Sequence, residues 1–379
     1  MNIKTLTVLL LVIGFASCGT ADKKQYNDEK FIRTAETEHL LLSLKAMPQY
    51  GVLFGHHDDP NYGIGWEGDE GRSDVKSVCG DFPAVMSFDI GRIELGQDLS
   101  LDSVSFDKIR REILNQYCRG GMSAISWHLD NPLTWGDSWD VSDTTVVASV
   151  LSDGANHDKF LLWLDRVADF MHSLQTEDGT KIPILFRPWH EHTGSWFWWG
   201  QKLCTVEEYK ALWRLTYDRL CEKGVDNLLY AYSPGAGYRS AEEFLERYPG
   251  DDIIDLVGFD CYQMDKEAYV QDMKTSLRIL SQVATKHDKA LAITETGYET
   301  IPDPVWWTEV LLPLLKEYPV SYVVVWRNAH ERENHYYAPY PGHISAGDFV
   351  KFYKDPRTLF AGDVSEMNIY TTSPSFQTK

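Results

Sequence analysis

The chain has little cysteine, and what it has builds no framework. Of six cysteines in 379 residues, Cys18 lies in an N-terminal leader-like stretch. The other five, Cys79, Cys118, Cys204, Cys221 and Cys261, are odd in number and show no CxxC pair or metal spacing. A disulfide scaffold is therefore not expected, although one unspecified pair remains open. Basic charge is scarce too, with 36 Lys and Arg against 56 Asp and Glu and a formal net charge of −20. That balance argues against nucleic acid, which needs cationic neutralisation, and equally against acidic ligands and anionic membrane surfaces. A neutral substrate is expected. No Walker lysine or GxGxxG accompanies the small residues of SPGAGY at 233–238, so that stretch reads as a turn, and no GxSxG elbow is present.

What the chain does have is a large apolar fraction, 43%, with 13 Trp and 20 Tyr that offer flat faces with a polar edge. Lys4 precedes an apolar run at 6–15 that is too short to span a membrane. The following FASCG resembles a bacterial lipobox, in which cleavage leaves a lipid-modified Cys18; an ordinary signal peptide with an incidental cysteine is the alternative. The expected organisation is a lipoprotein signal peptide at 1–18, a polar tether at 19–34 and one domain at 35–379, held to a bacterial cell envelope on the periplasmic side or the cell surface.

Eight apolar, β-branched runs recur, at 51–57, 82–90, 121–128, 182–191, 227–233, 254–262, 290–297 and 320–328. They are near-continuous rather than alternating, as parallel strands covered on both faces require. Between them, 158–173, 205–223, 269–287 and 305–317 carry apolar residues at helical spacing. Thr205-x-x-Glu208 reads as a capping box and Gly224 as a helix end. Eight β-then-α units predict an α/β fold, a single-domain (β/α)8 TIM barrel. Polar and aromatic residues gather where the runs stop: His56, His57, Asp89, His128, Glu191, Tyr262, Glu295 and Trp326. In such barrels that end builds the active site.

Glu191 ends the fourth run and Glu295 the seventh, so they face one another across the mouth. Two carboxyl groups about 5–5.5 Å apart suit retaining glycoside hydrolysis, provided one is protonated and the other ionised. The tryptophans around Glu191 are expected to raise its pKa by desolvation, and Tyr262 to donate to Glu295.

Glutamates at the ends of strands four and seven mark a large clan of retaining (β/α)8 glycosidases, most of which carry Asn before the acid/base where this chain has His190. RPWHEHTGSWFWWG at 187–200, with SWHLDNP, GFDCY, ITETG and VVVWRN, resembles glycoside hydrolase family 26, chiefly endo-β-1,4-mannanases, over nearly all the chain after residue 35. The resemblance implies Glu191 as general acid/base and Glu295 as nucleophile. It implies Tyr262 as the residue orienting Glu295, and substrate contacts from His128, His190, Trp196 on the leaving-group side, Trp326 beneath the sugar at the cleavage point and Arg327 on the glycone side. The implied enzyme degrades mannan or galactomannan, needs no cofactor or metal, meets a membrane only through a lipid at Cys18, and acts as a monomer. β-Glucan or β-1,3-xylan hydrolysis, and a non-catalytic glycan-binding lipoprotein, are the competing readings.

The polar connection at 130–157 is long for a loop and could close one end of the cleft, favouring mannobiose as product. Trp135 and Trp139 within it are candidates for sugar stacking or for packing the loop. Trp163, Trp213, Trp306 and Trp307 are expected to pack, and the His56-His57-Asp58-Asp59 run to meet substrate hydroxyls or serve structure.

Overall fold

The computed structural model describes residues 32–371. The expected leader, Cys18 and most of the expected tether lie outside those residues. All eight expected strands form: β1 (Val52–His57), β2 (Val85–Asp89), β3 (Met122–Ser126), β4 (Ile184–Arg187), β5 (Leu228–Tyr232), β6 (Leu256–Tyr262), β7 (Ala290–Gly297) and β8 (Tyr322–Val325). Each pairs in parallel with its neighbour, and β8 closes onto β1 through Leu53↔Tyr322 to His56↔Val325. The molecule is a (β/α)8 barrel. A short β9 (Thr358–Leu359) adds outside β1, and a hairpin of Tyr62–Gly63 with Trp66–Glu67 rises from the loop after β1.

Side chains alternate along the strands through the body of the barrel. Leu53, Val85, Met122, Leu185, Leu229, Leu256, Ala290 and Tyr322 share one cluster with Leu40 and Leu44 of the helix Ala35–Ala46, which fills the barrel's N-terminal end. Val52, Phe54, Ile125, Phe186, Val257 and Ile293 pack instead with the surrounding helices. Burial of both faces explains the continuous apolar runs. The expected capping box is present: Thr205 accepts from the Glu208 amide and Glu208 reaches back to the Thr205 amide, opening the helix Val206–Glu222. Gly224, at φ 76°, follows that helix in the left-handed conformation glycine tolerates. The expected helix at 305–317 is divided into a π-segment (Trp307–Leu311) and an α-helix (Leu312–Glu317), because Pro313 has no N–H to continue the ladder.

The strands are shorter than the apolar runs. β4 stops at Arg187, before Glu191, and β8 stops at Val325, before Trp326. The functional end of the barrel is therefore partly loop.

Candidate active site

Continuing the inward alternation towards the C-terminal mouth brings His57, Asp89, Arg187, Ser233, Asp260, Tyr262 and Trp326 to the barrel axis. Glu295 does not follow from it. With Ala290 and Ala292 inward, Thr294 is the next inward position. A register shift changes this: Phe259 pairs with Ile293 but Asp260 with Glu295, and on the other flank Val323 pairs with Ile293 but Val325 with Thr296. The extra residue is a β-bulge that turns Glu295 into the mouth. Thr294 still reaches inward and donates to Asp260 at 2.6 Å.

Glu191 is placed by a different device. Trp189 (φ 56°) and Glu191 (φ 52°) are both left-handed, which costs energy for residues other than glycine. Their surroundings enforce it. Tyr209 Oη donates to the Trp189 carbonyl at 2.6 Å, Trp199 Nε1 to the His190 carbonyl at 2.8 Å, and the Glu191 amide to the Ser233 carbonyl at 2.9 Å. Trp189, Trp198 and Trp199 are fully buried beneath this coil. The aromatic cluster around Glu191 is not uniform. The structure gives three of its members to scaffolding and leaves Trp196, 46% exposed, in the cleft. Trp196 Nε1 donates to Glu191 Oε2 at 2.8 Å.

Glu191, Asp260 and Glu295 bring carboxylate oxygens within 4.8 Å of one another. Their surroundings are unequal. Tyr262 Oη donates to Glu295 Oε2 at 2.7 Å, and Arg187 Nη2 donates to Glu295 Oε1 while Nη1 donates to Asp260 at 2.8 Å. These donors occupy both Glu295 oxygens and fix the orientation of its carboxyl group. Burial, and then the neighbouring Glu295 charge, push Glu191 up to about 7. Burial opposes the Arg187 charge, but Asp260 and Glu295 outweigh it and raise its pKa further. The positive charge among these carboxylates is thus a guanidinium.

The histidines form a relay. Ser126 and His128 Nδ1 both bond Asp89 Oδ2 at 2.7 Å, and His128 Nε2 meets His190 Nε2 at 3.1 Å. Burial works against protonation of His128, yet Asp89 prevails and raises its pKa. Burial, then Arg187 and His128, hold His190 well below the ordinary value. His128 therefore donates to a neutral His190. Trp326 stacks on His57, with ring centroids 4.1 Å apart, and His57 Nδ1 bonds Ser87 at 3.0 Å. His56 is held away from the cleft by Asp59 at 2.7 Å, so the two adjacent histidines separate in role.

Arg327 is ion-paired to Glu331 at 2.7 Å and to Asp102 at 3.3 Å, and lies over the Tyr62 ring. It thereby joins the loops after β1, β2 and β8. In the long connection, Trp139 stacks on His128 at 5.5 Å and borders Phe197, whereas Trp135 packs against Lys159 and Trp163. The two loop tryptophans thus divide between site and scaffold. Trp163, Trp213, Trp306 and Trp307 are buried as expected. The 233–238 turn has a further feature: with His192, Thr193, Glu243 and Phe244 it lines a cavity that begins at the residue directly after Glu191.

The sequence reading assigned no role to Arg187 or Asp260. Both lie inside motifs it singled out, RPWHEH and GFDCY, and a buried strand arginine was the available signal: it demands carboxylate partners. Thr294 and Thr296, which flank Glu295 in the chain, direct their hydroxyls to Asp260 and the Cys261 carbonyl.

A closed barrel whose mouth holds two close carboxyl groups in unequal surroundings, with an exposed tryptophan beside one of them, has the build of a retaining glycosidase. The profile of glycosyl hydrolase family 26 matches residues 32–356, and the chain belongs to that family. It is similar to a GH26 β-mannanase structure from Bacteroides ovatus, with 60% identity and a TM-score of 0.88, covering 89% of this chain and 98% of that one. It is also similar to an endo-β-1,4-mannanase from Cellulomonas fimi, at 34% identity and a TM-score of 0.83 over 91% of this chain and 79% of that one. A mannan endo-1,4-β-mannosidase of Bifidobacterium adolescentis is 30% identical over 368 residues; these make up 90% of this chain but 36% of that protein's length.

Proposed function

We propose that the protein is a retaining endo-β-1,4-mannanase acting on mannan and galactomannan. The observation that carries this reading is the approach of Glu191 and Glu295 carboxylate oxygens to within 4.8 Å, with Tyr262 and Arg187 donating to Glu295 and Glu191 pushed up to about 7. The mannanases among its relatives supply the substrate class.

Glu191 protonates the departing glycosidic oxygen as a Glu295 oxygen attacks the anomeric carbon, breaking the C–O bond and forming a mannosyl ester. Water then gives a proton to Glu191 and attacks the same carbon, and the ester electron pair returns to Glu295. Tyr262 and Arg187 hold Glu295 aimed at the anomeric carbon. His190, neutral and fixed by His128, faces the sugar at the cleavage point, Trp326 lies beneath it, and Arg327 meets the glycone chain. Trp196 stacks the first leaving-group sugar.

The placement of Trp139 against His128 supports a cleft narrowed by the 130–157 connection, with mannobiose as the main product. Lipid attachment at Cys18 would hold this monomeric domain to a bacterial envelope. Protein lacking residues 1–18, incubated with galactomannan, unbranched mannan, mixed-linkage glucan and xylan, tests the core reading. Mannan turnover with early mannobiose is expected. Early mixed oligosaccharides overturn the narrowed cleft, and turnover of glucan or xylan alone overturns the substrate. Full-length protein should enter the membrane fraction, and Cys18→Ala should release it.

A further inference from the structure

HExxGxWFWWG contains a glycine that the reaction does not call on. Gly194 closes the 3₁₀ turn His192–Gly194 directly after Glu191. Its φ is not left-handed, so backbone freedom does not explain it. Space does. A Cβ at Gly194 would overlap Cζ3, Cη2 and Cε3 of the Trp196 indole, because that edge of the six-membered ring lies against the glycine. That position sends the opposite edge of the indole, Nε1, to Glu191 Oε2 at 2.8 Å. Nothing larger than hydrogen at position 194 permits both the ring position and the bond.

We propose that Gly194 is a positioning residue: it forms the shelf on which Trp196 lies, so that the indole N–H occupies Glu191 Oε2 and leaves the acid proton on Oε1. The inference rests on Glu191 being the general acid. A neutral carboxyl group has one O–H and one carbonyl oxygen, and an N–H donor selects the carbonyl oxygen as its partner. With Oε2 so engaged, only Oε1 carries a proton. In the first step the Oε1 proton passes to the glycosidic oxygen as the C–O bond breaks; in the second, Oε1 takes the proton from the attacking water. Without the shelf the carboxyl group can rotate, and the proton resides on either oxygen. The same bond also favours the charged form of Glu191, so its loss carries the acid's titration upward.

The test compares Gly194→Ala, Trp196→Phe, the double variant and Glu191→Ala. Two substrates are used: mannopentaose, whose departure needs a proton, and a 2,4-dinitrophenyl β-mannobioside, whose departure does not. For Gly194→Ala, kcat/KM on mannopentaose should fall at least about tenfold, since misplacement on an ångström scale costs up to about 10². The basic limb of its pH profile should move upward, while kcat/KM on the dinitrophenyl substrate should stay within about twofold of wild type. Trp196→Phe keeps a ring but removes the N–H, and should move the limb the same way. The double variant should add no further shift, because both changes remove one interaction. An unmoved limb in Gly194→Ala, an equal loss on both substrates, or additive shifts would overturn the shelf. Glu191→Ala separates the two levels: full activity on mannopentaose sinks the acid assignment, whereas its collapse with an unmoved Gly194→Ala limb sinks the shelf alone.

Discussion

As the proposed general acid, Glu191 needs a proton at working pH, and its surroundings supply one. Burial and then the Glu295 charge raise it to about 7, so its protonated form is present below that pH and lost above it. On unactivated mannan, kcat/KM should therefore decline above about pH 7 with a slope of one, read from a pH–rate profile. Glu191→Gln should lower kcat on mannan by roughly 10²–10⁴ and remove that limb. At this scale much of the site was legible in the sequence. The paired glutamates and Tyr262 stand at the ends of apolar runs, where charge has no packing explanation. Arg187 was missed because a strand arginine reads the same whether it faces helices or the barrel axis until register is known.

A single strand residue joins three strands: Arg187 on β4 holds Asp260 on β6 and Glu295 on β7. Burial holds Asp260 well above the usual carboxylate range, with Arg187 opposing it. Arg187→Met would leave two buried carboxylates without their cation. Guanidinium denaturation should show a loss of about 3–5 kcal/mol, together with loss of activity. The loop after β4 gives a second contrast. Trp198→Ala, at a fully buried ring, should cost about 3–5 kcal/mol of stability. Trp196→Ala, at a half-exposed ring, should leave the melting temperature near wild type and lower activity instead. A thermal melt beside a mannan assay separates the two. Adjacent tryptophans in WFWW cannot be told apart by composition; the left-handed coil at Trp189 and Glu191 sorts them.

Across the whole molecule, several buried carboxyl groups keep their protons. Burial comes first in each case, and pushes Asp58 up to about 8, Glu94 up to about 7 and Asp102 up to about 6, beside Glu191 at about 7. For these groups the native state binds more protons than the unfolded chain once pH exceeds about 4, so stability is lost as pH rises through the folded values. Burial acts oppositely on His57, His190 and His192, holding the first two well below the ordinary range and His192 at about 3. Their contribution grows as pH rises, and is complete near 6.5. The two trends oppose each other between about pH 4 and 6.5; above that only the carboxyl loss continues. A melting series should show a broad maximum ending near pH 6.5 and a decline to pH 8. A melting temperature still rising across that last interval would contradict the assignment.

The sequence by itself determined the barrel, its strand count and the end that carries function. Those follow from local chemistry: apolar runs buried on both faces, helices between them, and polar groups placed where burial stops. It also located both glutamates. It did not determine how they come to face one another. Glu295 turns inward through a bulge that shifts the register against both neighbouring strands, and Glu191 through a left-handed coil held by Tyr209, Trp199 and Ser233. Both depend on partners distant in the chain, and side-chain direction alternates with every residue. A shift of one position separates a carboxylate in the cleft from one buried against a helix, and only closure of the barrel makes that choice.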